Sequence, residues 1–346
     1  PALAFHVAGD MGPDVDAVFA PDAGRIGRLS GEGGNLTGFV HADWASDEYF
    51  FRWEDPATPS TLFRRVAGEA RAEALKTLPA FFDARGLVTR QFEATSRDGT
   101  RVPYFVVMRA DATLDGRTPT ILYGYGGFGL AQLPWYSGVF GRGWLARGGA
   151  LAIANLRGGG EFGPAWHESA RRQHKQRTWD DYAAVAEDLA RRGIASPARI
   201  GSMGGSQGGL LTSVVMVQRP ELFGAVVSQV PLADMLRYHL LPIGASWIGE
   251  YGDPAKPEEA AWIAPWSPYQ NLRAGAKYPP AFFTTSTRDD RVHPGHARKM
   301  VARMQELGYG TLYFEYTEGG HGSGVTPVQT ATTWALIYSW FAKALM

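Results

Sequence analysis

The chain of 346 residues is 45% hydrophobic and 20% charged, enough for a sizeable core and two domains. Its 34 Lys plus Arg balance 34 Asp plus Glu, so the net charge favours neither nucleic acid nor an anionic membrane surface as a partner. The lack of cysteine excludes disulfides, thiolate metal sites and a cysteine nucleophile, and leaves the compartment open.

The chain opens "PALAFHVAGD", with no initiator Met and no signal-peptide pattern, as expected of a processed or truncated chain. Cytoplasm and periplasm both fit. Up to about Thr77, three runs alternate apolar and polar side chains in places: Leu36 to Asp43, Glu48 to Glu54 and Thr61 to Val66. Ser-Asp and Asp-Pro turns separate them, which predicts antiparallel β structure too small to close on itself. A hairpin is expected next, "LVTRQFEATS" and "RVPYFVVMR" joined through Arg97-Asp98-Gly99-Thr100, because Asp-Gly is a strong turn signal.

From about Thr118 strands alternate with helices. The strand candidates are "TILYGY", "GALAIANL", "RIGSMG", "GAVVSQV", "PAFFTTST" and "TLYFEY". A helix over "TWDDYAAVAEDLARRG" places Trp179, Tyr182, Val185, Ala186 and Leu189 on one face, with Thr178 as cap and Gly193 as stop. The basic run "ARRQHKQR" (Ala170 to Arg177) just before it reads as a solvated loop and helix start. A second helix, "HARKMVARMQELG", turns Ala297, Met300, Val301, Met304 and Leu307 inward and ends at Gly308. The C-terminal segment "PVQTATTWALIYSWFAKALM" is a helix with Val328, Ala331, Trp334, Tyr338 and Phe341 inward, too polar to span a bilayer. Such alternation implies an α/β fold with a doubly wound, mostly parallel sheet.

Reactive groups in such sheets sit in loops at the carboxyl ends of strands. Gly204-Gly205-Ser206-Gln207-Gly208 matches G-x-S-x-G between a strand and a helix candidate, the setting of a nucleophile elbow. The sharp turn strains the serine backbone, and the helix start behind it favours developing negative charge. Of eight histidines, His321 in "EGGHGSG" follows the last strand candidate and is the best base. His293 and His296 stand beside a helix start, His6 and His41 lie in the β region, and His167, His174 and His239 have no loop signature. "STRDDRV" offers Asp289 or Asp290 as the orienting acid, in the chain order Ser, acid, His of α/β-hydrolases. "GYGGFG" and "GGGEFG" both fit G-x-G-x-x-G, but neither has the helix and ribose-binding acid of a dinucleotide site, and no metal-ligand spacing appears.

The runs "LYGYGGFG", "NLRGGGEFGPAWH", "GGSQGGLL", "QRPELFGAVVSQVPLADMLRY", "SWIGEYGDP", "DDRVHPGHARKM" and "GGHG", in this order, resemble the prolyl oligopeptidase family of serine peptidases. The resemblance spans about Leu87 to the C-terminus. It implies a β-propeller remnant over residues 1–80 and an α/β-hydrolase peptidase domain over 81–346. It assigns Ser206 as nucleophile, His321 as base and Asp289, the first Asp of "DDRV", as orienting acid. The oxyanion donors would be the Gln207 backbone N–H and the Tyr125 hydroxyl. Trp247 would stack on a substrate proline ring, Phe128, Leu232, Tyr251 and Val292 would line the pocket, and Arg291 would bond a substrate carbonyl. Two departures bear on preference: Gln207 replaces a common Asn and Leu232 an expected valine, both narrowing the pocket. The implied activity is cleavage of short proline-containing peptides after proline, without cofactor, nucleic acid or membrane, by a monomer. The rivals are an esterase, a peptidase of other preference, and an inactive hydrolase-fold binding module.

Overall fold

The computed structural model of the chain describes residues 46–66, 71–322 and 324–346 and the backbone pairing of three earlier strands. His6 and Asp43 lie outside the described residues. The chain divides into two compact units. The first comprises Pro1–Phe92, Phe105–Asp111 and Leu133–Gly148, and the second Glu93–Tyr104, Ala112–Gln132 and Gly149–Met346.

In the first unit, β1 (Asp14–Val15) and β2 (Leu29–Ser30) pair antiparallel. β3 (Asn35–Ala42), β4 (Glu48–Asp55), β5 (Thr58–Val66) and β6 (Glu73–Thr77) form an antiparallel sheet in chain order. Tyr49 and Phe51, two residues apart on β4, are both buried, as a period of two requires, and Phe51 stacks on Phe63 of β5 at 5.3 Å. The predicted hairpin forms as β7 (Leu87–Thr95) and β8 (Arg101–Arg109). Its turn is closed by Ser96 N–H donating to Thr100 O at 2.8 Å, with Gly99 at φ 87°.

Each later strand candidate forms: β9 (Thr120–Tyr123), β10 (Ala150–Ala154), β11 (Ile200–Gly205), β12 (Ala225–Gln229), β13 (Ala281–Ser286) and β14 (Leu312–Tyr316). With the hairpin they make an eight-stranded sheet, ordered β14-β13-β12-β11-β9-β10-β8-β7. The pairs from β10 through β9, β11, β12 and β13 to β14 are parallel. The chain runs from β9 out to β10, then returns to the far side of β9 as β11, so the winding reverses between β9 and β11. At such a switch point the loops leaving the two strands diverge and open a crevice. The loop after β9 carries Tyr125, and the loop after β11 carries Ser206.

The helices are α1 (Gly138–Gly143), α2 (Pro164–Glu168), α3 (Gln176–Arg191), α4 (Gln207–Gln218), α5 (Ile248–Tyr251), α6 (Pro257–Ile263), α7 (Pro268–Asn271), α8 (Gly295–Glu306) and α9 (Pro327–Leu345). Two differ from the sequence expectation. α3 starts at Gln176, so Thr178 is no cap: its hydroxyl donates to Arg157 O at 2.9 Å. On α9 the buried residues are Thr333, Ile337, Tyr338, Phe341 and Leu345, while Val328 is 75% exposed and Ala331 is also exposed. The reason lies in β11, where Gly201 leaves room for two of these side chains. A Cβ there would stand 2.5 Å from the Phe341 ring and 2.8 Å from Leu345. That notch seats the C-terminal half of α9 and leaves its first turn outside.

Candidate active site

Ser206 stands between β11 and α4 with φ 60° and ψ −118°, a backbone that a side chain seldom adopts. Its N–H donates to Gln229 O of β12 at 2.9 Å, and its carbonyl accepts Leu210 N–H of α4 at 3.0 Å. The turn can be this sharp because the two outer glycines of the motif touch backbone. A Cβ on Gly204 would lie 2.5 Å from Gly208 O, and one on Gly208 would lie 2.6 Å from Gly124 O. Gly205 has open space by comparison, its nearest neighbour being 3.7 Å away.

Asp289 follows β13 and is buried, with Oδ1 accepting Arg291 N–H at 3.0 Å and Val292 N–H at 2.9 Å. Those two amides fix the carboxylate plane. His321, in the loop after β14, places Nδ1 2.8 Å from Asp289 Oδ2 and 2.9 Å from Oδ1. A proton held on Nδ1 by this carboxylate leaves Nε2 as the basic nitrogen. Asp290, the alternative acid, is exposed. His296, in the first turn of α8, is buried, and its Nδ1 accepts the Ala233 and Asp234 amides at 3.2 and 3.1 Å. Burial pushes its pKa down to about 4, so it stays neutral.

Tyr125 brings its hydroxyl to Ser206. Burial raises the phenol pKa, with the hydrogen bond to Ser206 and the Arg291 charge opposing the rise, so at neutral pH it remains a donor. Gln207 N–H opens the first turn of α4, where no side-chain cap covers it and the helix dipole also favours negative charge. The Gln207 side chain is wholly buried: Nε2 donates to Gly126 O at 3.2 Å and Oε1 accepts the Tyr251 hydroxyl at 2.6 Å. Its extra length is thus taken up beneath the Tyr125 turn. Tyr251 is fully buried as well and meets the half-buried Phe128 edge to face at 5.7 Å. Leu232 and Val292 are each 1% exposed, Trp247 is half-buried at the end of a short 3-10 turn, and the Arg291 side chain is exposed.

The model of the prolyl oligopeptidase family matches residues 139–346. The chain belongs to the prolyl oligopeptidase family. It is 50% identical over 305 residues to an uncharacterized peptidase of Sinorhizobium fredii, covering 88% of this chain and 42% of that protein. It is 33% identical over 296 residues to the prolyl endopeptidase of Elizabethkingia miricola, covering 84% and 42%. Among solved structures, a post-proline cleaving enzyme from Rickettsia typhi superposes with a TM-score of 0.85 at 36% identity, covering 97% of this chain and 49% of that one. The chain therefore spans less than half the length of these family members.

One part of the site was not foreseen. Lys175, inside the basic run read as solvated, is completely buried, with Nζ donating to Glu250 Oε1 at 2.7 Å and Gly126 O at 2.9 Å. Glu250 also accepts the Phe128 amide at 3.2 Å and lies 2.7 Å from His167 Nε2. Local composition could not reveal this, because the carboxylate that draws Lys175 inward stands 75 positions away.

Proposed function

We propose that this chain is the catalytic part of a serine endopeptidase that cleaves short peptides on the carboxyl side of proline. The observation that carries the reading is His321 Nδ1 held on the buried, amide-braced Asp289, with Ser206 raised on a strained elbow beside the Tyr125 hydroxyl. In this reading Ser206 Oγ attacks the carbonyl carbon of the proline residue and His321 Nε2 takes its proton. The Tyr125 hydroxyl and Gln207 N–H hold the oxyanion. His321 returns the proton to the leaving amine, and water then hydrolyses the acyl-enzyme by the same route.

In this reading the preference for proline rests on Trp247 as a flat stacking plate and on Phe128, Leu232 and Val292 as its apolar surroundings. Glu250, the carboxylate that touches the Phe128 amide, is engaged by Lys175 and His167 and so is not offered to a basic side chain. Residues 1–80 would form the last part of a β-propeller, a reading supported by the antiparallel β3–β6 sheet. The test is turnover of blocked chromogenic dipeptides ending in Pro, Ala, Arg and Phe by the intact protein carrying this chain, with and without a serine-directed phosphonate. Phosphonate-sensitive turnover selective for Pro is expected. Equal turnover of all four would remove the proline assignment, and no turnover would favour a binding module.

A further inference from the structure

We propose that Lys175 and Glu250 are a positioning pair that holds both oxyanion donors in place, an inference that rests on Ser206 being the nucleophile.

The placement of Lys175 is unfavourable on its own terms. It is fully buried, and it sits at the N-terminal end of α3, where the helix dipole disfavours a cation. Burial lowers the Lys175 pKa, although Glu250 opposes the change. Burial, the largest influence, works against the Glu250 charge, but Lys175, His167 and the Phe128 amide together hold that carboxyl below its usual range. A buried ion pair adds little net stability over apolar residues of the same volume. What this pair provides is a set of fixed contacts.

Those contacts converge on one turn. Residues 124–129 leave β9 with Gly126, Phe128 and Gly129 at φ 63°, 56° and 64°. Phe128 has a Cβ, so its left-handed backbone is strained and persists only where surrounding contacts impose it. Glu250 accepts the Phe128 amide, and Lys175 Nζ donates to Gly126 O. Tyr125, the first donor, is the residue immediately before Gly126. The second donor is tied to the same point, because Gln207 Nε2 also donates to Gly126 O. Its amide oxygen is held by Tyr251, the neighbour of Glu250 in sequence, and Lys175 Nζ lies 5.7 Å over the Tyr251 ring. The hydroxyl of Tyr125 and the N–H of Gln207 are thereby referenced to a single buried cluster.

The test is the double variant Lys175→Met/Glu250→Gln in the intact protein, which removes the cation without stranding a carboxylate. Rates are expressed per active site by phosphonate titration. Binding is compared for two probes: a blocked dipeptide aldehyde ending in prolinal, whose hemiacetal oxygen needs the donors, and the matching acid, which needs the pocket alone. The expected result is a folded protein with kcat lower by about 10- to 100-fold and KM within about threefold. The aldehyde should bind weaker in proportion to kcat, with acid binding unchanged. A role in stability alone predicts that the folded double variant keeps native kcat and aldehyde affinity, and that outcome overturns the proposal. Should the double variant not fold, Glu250→Gln decides: it keeps the side-chain shape and is expected to lower kcat and aldehyde affinity together by about 3- to 10-fold, and native values would count against the pair. The native protein separates the two readings. If the phosphonate does not label it at Ser206, the function falls and this inference falls with it. If it is labelled and active while the variants match it, only the pair's role is lost.

Discussion

Glu161 couples folding stability to pH, and the coupling has a calculable size. The carboxyl lies buried in the second glycine loop, with Oε1 accepting the Gln132 amide at 2.8 Å, while Oε2 is a buried acceptor that meets no donor at hydrogen-bond distance among the described residues. Burial pushes its pKa up from 4.5 to about 7, against the opposing hydrogen bonds. Between these values the folded state keeps a proton that the unfolded chain releases, so stability falls as pH rises through the window. A rise of about 2.5 units at 1.36 kcal/mol each gives about 3 kcal/mol. Glu161→Gln mimics the protonated form and cannot titrate. Urea unfolding of both proteins, followed by tryptophan fluorescence from pH 4.5 to 8, isolates the group as the difference between the curves. The comparison is needed because His296 acts in the opposite sense. Its folded pKa is depressed to about 4, so its contribution is complete above 6.5 and is lost as pH falls. The variant is expected to gain about 3 kcal/mol on the native protein between the two ends of the range. A difference that stays flat with pH would refute the argument.

Tyr125→Phe removes one oxyanion donor and should lower kcat about 10²- to 10³-fold with little change in KM, read from steady-state kinetics on a proline anilide. Ser206→Ala should abolish turnover while a proline-ending peptide still binds in calorimetry; retained turnover would exclude Ser206 as nucleophile. Trp247→Ala should cut kcat/KM for proline peptides far more than for a simple ester, and equal losses would argue against the stacking assignment.

The α/β architecture and the reactive loops were legible in the sequence because they rest on local physics. Apolar runs buried on both faces of a parallel sheet keep their character whatever packs on them, as in β9 to β13, and the partly exposed edge strand β14 also forms where its apolar run predicts. The elbow was legible for a similar reason: Gly204 and Gly208 exclude any side chain, and such a need leaves a mark in composition. What the pattern did not contain was the choice among neighbours. Local pattern left Asp289 and Asp290 open and the family resemblance named the first; the physical difference comes from the fold, which buries Asp289 under two amides and exposes Asp290. The inward face of α9 was set by a notch at Gly201, more than a hundred residues away in the chain. The two glycine loops fit a nucleotide pattern on paper, yet in the fold they serve close packing, since a Cβ on Gly160 would collide with Gly129 O. Lys175 shows the limit most plainly. A lysine in a basic run is ordinarily solvated, and burying it becomes affordable only when a carboxylate, a carbonyl and two aromatic rings from distant segments meet at one point. Local periodicity determines which segments become strands and helices; which charges may leave water is decided by tertiary contacts, because desolvation is compensated only by partners that the fold assembles.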